Sequence, residues 1–196
     1  MSAPLILPHR GIAPKIHPEA FVAETAVVIG DVEIGPGSSI WYGCVLRGDV
    51  NYIRIGSETN IQDGTVIHVN RPSDGGDYRE DGGGMPTVIG DRVTVGHSAL
   101  LHACTLEDEA FIGMRATVMD LATVERHAMV AAGALVTPNK RVAAGQLWAG
   151  SPAKPMRALE PAEIAGFAPQ AAHYARLGAG YLRARMQRKQ DDGTQG

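Results

Sequence analysis

Large aliphatic residues recur along this chain at intervals of six. Ile16, Val22, Val28, Ile34, Ile40, Leu46 and Tyr52 stand in step, and Ile55, Ile61 and Ile67 resume after a three-residue insertion. Ile89, Val95 and Leu101 form a third run, and after one five-residue step the sixes continue from Leu106 to Val142. Four positions beyond each anchor the residue is nearly always small or β-branched, as at Ala20, Cys44, Thr59, Ala99 and Ala128. An amphipathic helix would space its apolar residues three and four apart, and an alternating strand would space them by two, so neither produces a period of six. The pattern predicts a triangular solenoid in which each hexad supplies one short strand and one corner, and three hexads close a coil. Anchors then point into the prism and small residues sit where its corners narrow.

The repeat assigns residues 1–155 to this all-β solenoid. Residues 69–86, VNRPSDGGDYREDGGGMP, carry no apolar period and read as a loop ejected from one corner. Ile164, Phe167, Ala171, Tyr174, Leu177 and Leu182 then follow helical spacing, with Pro161 near the start. Residues 156–188 are therefore expected as a C-terminal helix packed on the prism, and residues 189–196 as a disordered tail.

Composition sharpens this picture. Aromatic residues make up only 5% of the chain while glycines number 24, so aliphatic and small side chains must fill the core around many tight corners. A formal net charge of −3 gives no basic field for nucleic acid or an anionic membrane, and no partner of either kind is expected. With no long apolar run, no leader-like N-terminus and only Cys44 and Cys104, a cytoplasmic location is expected.

Candidate chemistry rests on three of the seven histidines. His68 follows anchor Ile67 by one residue and His102 follows anchor Leu101 by one, with three hexad steps between those anchors once the loop is set aside. Three steps are one coil, so the two imidazoles should stack about 4.8 Å apart and can share one metal ion. His97 lies five residues before His102, on another edge and about 16 Å away along extended chain. That is far beyond the roughly 2.0–2.1 Å of a zinc–nitrogen bond. Within one chain the three cannot converge, but they can meet if parallel prisms pack around a three-fold axis, with His97 of one chain facing the stacked pair of its neighbour. His9, His17, His127 and His173 lack this register and read as surface or structural residues.

The stretches LRGDVNYIRIGSETNIQDGTVIHV, TVGHSALLHACTL and FIGMRATVMDLA resemble the gamma-class carbonic anhydrases and their bacterial relatives. The resemblance to hexapeptide-repeat proteins covers roughly residues 10–155. It implies a left-handed parallel β-helix, a homotrimer, and a metal site between subunits formed by His68, His97 and His102. Zn2+ is the implied cofactor, with Fe2+ or Co2+ as substitutes. Three imidazoles leave an open coordination position, and metal-bound hydroxide would attack carbon dioxide to give bicarbonate. Gln62 and Asp63 are implied to orient the metal-bound water, though a corner hydrogen-bond ladder is the plainer reading, and Asn60 supports them. Arg47 reads as an interface salt-bridge partner of Asp49 or as a group that orients bicarbonate. Tyr174 either reaches the pocket or packs in the core. Cys104, two residues past His102, is a buried small residue and no ligand.

Two departures bear on proton release. Where the archetypal members carry glutamates as proton carriers, this chain has Val50 and, approximately, Arg71. Asp74, Asp77, Glu80 and Asp81 in the ejected loop are the substitutes at hand, and activity is expected to be weak or absent if they do not serve. Two other readings compete. The exit segment AGSPAKPMR also follows the coils of many acyltransferases, which points to a hexapeptide-repeat acyltransferase or an acyl-coenzyme A thioesterase. A non-catalytic assembly protein that keeps a structural metal is the third reading.

Overall fold

A computed structural model describes residues 3–80 and 82–193, with side chains as far as Arg188. The chain forms a left-handed parallel β-helix of about eight coils followed by helix. One face of the prism stacks the strands Asn60–Ile61, Thr94–Val95, Phe111–Ile112 and Met129–Val130 in an eight-stranded sheet. The other two faces join in a twelve-stranded sheet because Val27–Ile34 and Val45–Ile55 run unbroken across a corner. Each anchor sits over the one a coil below. Leu46, Ile67, Leu101, Val118 and Val136 form one such column, and each is fully buried. A column of aliphatic side chains at this spacing fills the prism axis without aromatic residues and supplies the main favourable term in folding.

The corners show a feature the apolar pattern does not carry. From Glu109 through Arg115, Leu121, His127, Gly133 and Asn139 to Gly145, the residue three beyond each anchor has a positive φ. Most of these are not glycine, so the left-handed conformation, costing about 1–2 kcal/mol each, is imposed by the stacked strands on either side. One position demands glycine outright. Gly30, at φ +76°, would place a Cβ only 2.2 Å from the carbonyl oxygen of Gly48.

Tyr52 departs from the expected register. It is only partly buried, and Ile53 takes the inward position opposite Val32 while Ile55 pairs with Ile34. The insertion therefore lies between Gly48 and Ile53, ahead of the inward Ile53 instead of after Tyr52. Asn51, almost wholly buried, uses this excursion to hold the ejected loop: its Nδ2 donates to the carbonyls of Asn70 at 3.2 Å and Gly83 at 3.1 Å. The loop leaves after the strand Val66–His68 and rejoins at Thr87–Ile89, with an Asn70–Met85 bridge at its base. Tyr78 fastens its far side, donating to Asp31 Oδ2 at 2.6 Å.

The C-terminal segment is more divided than a single helix over 156–188. Ala153–Ala158 first returns as a strand antiparallel to Gln146–Gly150. Helix α1 (Pro161–Ala165) then begins at a capping box between Glu160 and Glu163, with proline in its first turn, and ends at Gly166. Helix α2 (Phe167–Gly193) continues past residue 188, and residues 194–196 of the expected tail lie outside the described residues. Phe167 and Ala171 are buried on its inner side, Tyr174 packs on Trp41, and Leu177 points outward. Close approach is set at Gly178, where a Cβ would come within 3.2 Å of Phe21 and 3.3 Å of Ser39. No helix among the described residues is long and apolar enough to cross a membrane.

Candidate metal centre

Parallel register places His102 directly over His68, with Arg47 one coil further down. His68 Nδ1 lies 3.2 Å from His102 Nε2. The remaining ring nitrogen of each histidine meets its own carboxylate. His68 Nε2 is 3.0 Å from Asp49 Oδ1, and His102 Nδ1 is 2.5 Å from Asp120 Oδ1. Asn70 Nδ2 in turn donates to Asp120 Oδ2 at 2.8 Å. An ionised carboxylate accepts and cannot donate, so each aspartate fixes a tautomer with the proton on its own side. The two free nitrogen lone pairs then face each other, which is unfavourable unless a cation sits between them. Two nitrogens bound tetrahedrally to one ion at roughly 2.05 Å stand about 3.3 Å apart, so the observed separation fits a shared metal.

Electrostatics keeps His68 neutral, the form in which an imidazole can bind a metal. Burial pushes its pKa below the ordinary histidine value, and the charges of Arg47 and His102 act in the same sense against the pull of Asp49. Asp49 stays ionised, because hydrogen bonds from His68 and Arg47 outweigh the opposing effect of burial. Arg47 reaches Asp49 within the same chain, at 2.6 Å.

His97 lies on the eight-stranded face, just beyond Thr94–Val95. It too has a carboxylate, Asp63 Oδ2, at 2.9 Å from Nδ1, which leaves Nε2 as the unengaged nitrogen. Gln62 is buried beside it, donating from Nε2 to Asn60 Oδ1 at 3.1 Å, while Asn60 Nδ2 donates to Thr94 Oγ1 at 2.9 Å. Gln62, His97, Met114 and Tyr174 line a cavity of about 300 Å³. Tyr174 both lines this cavity and packs edge-on against Trp41 at 5.7 Å, and its pKa is raised by burial and by the charge of Asp63.

Within one chain, therefore, the structure gathers His68, His102, Asp49 and Arg47 on one face and His97, Asp63, Gln62, Asn60 and Tyr174 on another. No three metal-ligating side chains come together among the described residues of a single chain. Cys104 is buried in the core, its thiol pushed up to about 12 by burial. His127 Nε2 donates to Glu109 Oε2 at 2.6 Å in a cluster that includes none of the three candidate ligands. Of the loop carboxylates, Asp77 is held ionised by Arg79, which makes it a weak proton acceptor, and Asp81 lies outside the described residues. Sequence reasoning missed Asp120. Its signal was present, since it stands 18 residues after His102 and Val118 pairs with Leu101.

The two halves also share exposed apolar neighbours. Val66 and Leu100 lie paired and outward on the face of His68 and His102, and Met114 is exposed beside His97.

No protein-family model matches the chain. A mitochondrial protein of Arabidopsis thaliana named gamma carbonic anhydrase 1 is 55% identical over 84% of this chain and 58% of its own length. The chain thus spans little more than half of that plant relative. A protein of Methanocaldococcus jannaschii named probable carbonic anhydrase is 40% identical over 80% of this chain and 91% of its own. Among solved structures, a hexapeptide transferase family protein from Anaplasma phagocytophilum is 46% identical, with a TM-score of 0.81 over 90% of this chain and 98% of that one.

Proposed function

The chain belongs to the gamma carbonic anhydrase family of hexapeptide-repeat proteins, and from that premise we propose that it catalyses the reversible hydration of carbon dioxide to bicarbonate in a homotrimer. Its metal is held by His68 and His102 of one chain together with His97 of the next. The observation that carries this reading is the pair of opposed imidazole nitrogens 3.2 Å apart, each ring fixed from behind by an aspartate. Such carboxylate–histidine arrangements orient ligands and raise their basicity.

A divalent ion of the zinc type, when bound, supplies a Lewis acid that lowers the pKa of water towards about 7. The chain's own residues set where that chemistry happens. Asp49, Asp120 and Asp63 hold the three rings so that one nitrogen of each is presented. Asn60 fixes the amide of Gln62, so that Gln62 offers a rigid polar group at the cavity wall next to His97. Tyr174 and Met114 give that cavity an apolar side suited to carbon dioxide, which has no net charge or dipole. Arg47, half-exposed at the edge of the pair, provides positive charge on the path of departing bicarbonate.

Stopped-flow hydration of carbon dioxide by protein loaded with Zn2+, or with Fe2+ under anaerobic conditions, tests the proposal. Activity that disappears on chelation and returns with metal is the expected result. Metal-independent acetyl transfer from acetyl-coenzyme A would favour the transferase reading that the name of the Anaplasma protein suggests, and bound metal without either activity would favour an assembly protein.

A further inference from the structure

A second cavity is lined by Asp49 but by none of His68, His97 and His102. The hairpin His9–Ile12, the strand segment Gly48–Val50 and the loop turn Arg71–Arg79 close around a cavity of about 170 Å³. Three arginines, Arg10, Arg71 and Arg79, are among its lining residues. Local geometry places the segments that carry them. Reciprocal backbone hydrogen bonds between His9 and Ile12, at 2.9 and 3.0 Å, put Arg10 at the hairpin tip with φ +48°. Arg71 folds back over the turn, its Nη1 3.8 Å from where a Cβ of Gly75 would stand. Tyr78, tied to Asp31, anchors the segment that carries Arg79.

Both carboxylates lining the cavity are already engaged. Arg79 clamps Asp77 through Nε at 2.7 Å and through Nη2, and Arg47 and His68 take Asp49. Arg10 and Arg71 have no carboxylate partner among the described residues, although Arg10 lies near enough for its charge to act on Asp77. Two arginines without a carboxylate hydrogen-bond partner at one small cavity favour a ligand with paired oxygens and negative charge. The volume lies below that of pockets for drug-sized ligands, roughly 300–1,000 Å³, and suits a small anion.

We propose that this cavity is a binding site for a small oxyanion of the bicarbonate or phosphate class, held between Arg10 and Arg71. It is separate from the histidine site and does not depend on a metal. The site would keep such an anion next to Asp49, the residue that orients His68.

Calorimetric titration of the full-chain protein with sodium phosphate, and separately with sodium bicarbonate, tests it, with ionic strength held constant by chloride. We expect one saturable site per chain for at least one of the two anions, and the tighter of them identifies the occupant. In the R10Q/R71Q double variant that binding should weaken at least about tenfold, equivalent to about 1.4 kcal/mol. Because both side chains are exposed, the melting temperature should not change. Absence of saturable binding of either anion overturns the proposal. So does binding that survives in R10Q/R71Q but is lost in His102→Ala, because the anion would then occupy the histidine site. Neither readout requires carbon dioxide hydration, so failure here is distinct from failure of the enzymatic reading.

Discussion

The two halves of the candidate centre are built by different means. On the face of His68 and His102 everything follows from vertical register inside one chain. Both histidine side chains and both their aspartates are largely shielded, at 20% and 18% exposure for His68 and Asp49 and 32% and 26% for His102 and Asp120. On the other face His97 and Asp63 are each 45% exposed and hold only one another. A solenoid can repeat a residue along its axis at strand spacing, but it cannot bring two of its own faces together. The comparison teaches that folding alone preorganises the stacked pair, whereas on the proposed reading the third ligand has to come from a second chain.

The largest contrast should appear when the ligands themselves are removed. His68→Ala and His102→Ala should each abolish tight metal binding and carbon dioxide hydration. His97→Ala should abolish hydration too, yet retain weak metal binding at the intact pair, as read by competition with a chromogenic chelator. Equal metal affinity in all three variants would erase the distinction between the halves.

Orienting carboxylates come next. Asp120→Asn keeps size but replaces an acceptor oxygen with a donor, and should lower metal affinity about 10–100-fold. Asp63→Asn removes a more exposed contact and should fall at the lower end of that range. The Co2+ visible spectrum of Asp120→Asn should shift with the changed His102 basicity. A larger loss for Asp63→Asn than for Asp120→Asn would reverse the ranking. Smaller still is Asn70→Ala, which frees Asp120 on one side only and should cost about 1 kcal/mol of metal binding, near fivefold.

Much of this was legible in the sequence. The period of six fixes the anchors, and counting hexads across the loop is enough to set His102 over His68 and Asp63 beside His97. Tyr52 misled because an outward aromatic on a bulged strand imitates an anchor when spacing alone is counted. The left-handed corners were not legible, since Glu109, Arg115, Leu121 and His127 share a backbone conformation and no side-chain property. Asp120 was overlooked for a related reason. Its meaning lies in the residue one coil away, and a polar residue at a corner looks alike whether it meets solvent or an imidazole.

A control that touches none of the candidate ligands separates metal effects from folding. Glu109 is buried and takes Arg92 at 2.8 Å, Arg126 at 3.0 Å and His127 at 2.6 Å. Burial would raise its carboxyl pKa, but hydrogen bonds from Arg92 and His127 outweigh burial and hold it below the usual range. A folded pKa below the unfolded one means stabilisation that is complete above about pH 4.3 and fades as pH falls through the folded value. Glu109→Gln should therefore lower the melting temperature at pH 7, lose that difference in acid, and leave metal content unchanged. A loss of metal in this variant would couple the corner to the centre.

The central claim, a metal site divided between chains, is tested most directly by mixing inactive variants. His97→Ala chains keep the stacked pair and His68→Ala chains keep the facing histidine, so in a closed three-membered ring of both kinds one interface joins an intact pair to an intact His97. Co-refolding should restore metal binding and hydration at about one site in three within mixed trimers. His68→Ala mixed with His102→Ala should restore nothing, because no chain then supplies both stacked imidazoles. Recovery in the second mixture, or none in the first despite mixed trimers seen by native mass spectrometry, would contradict the account.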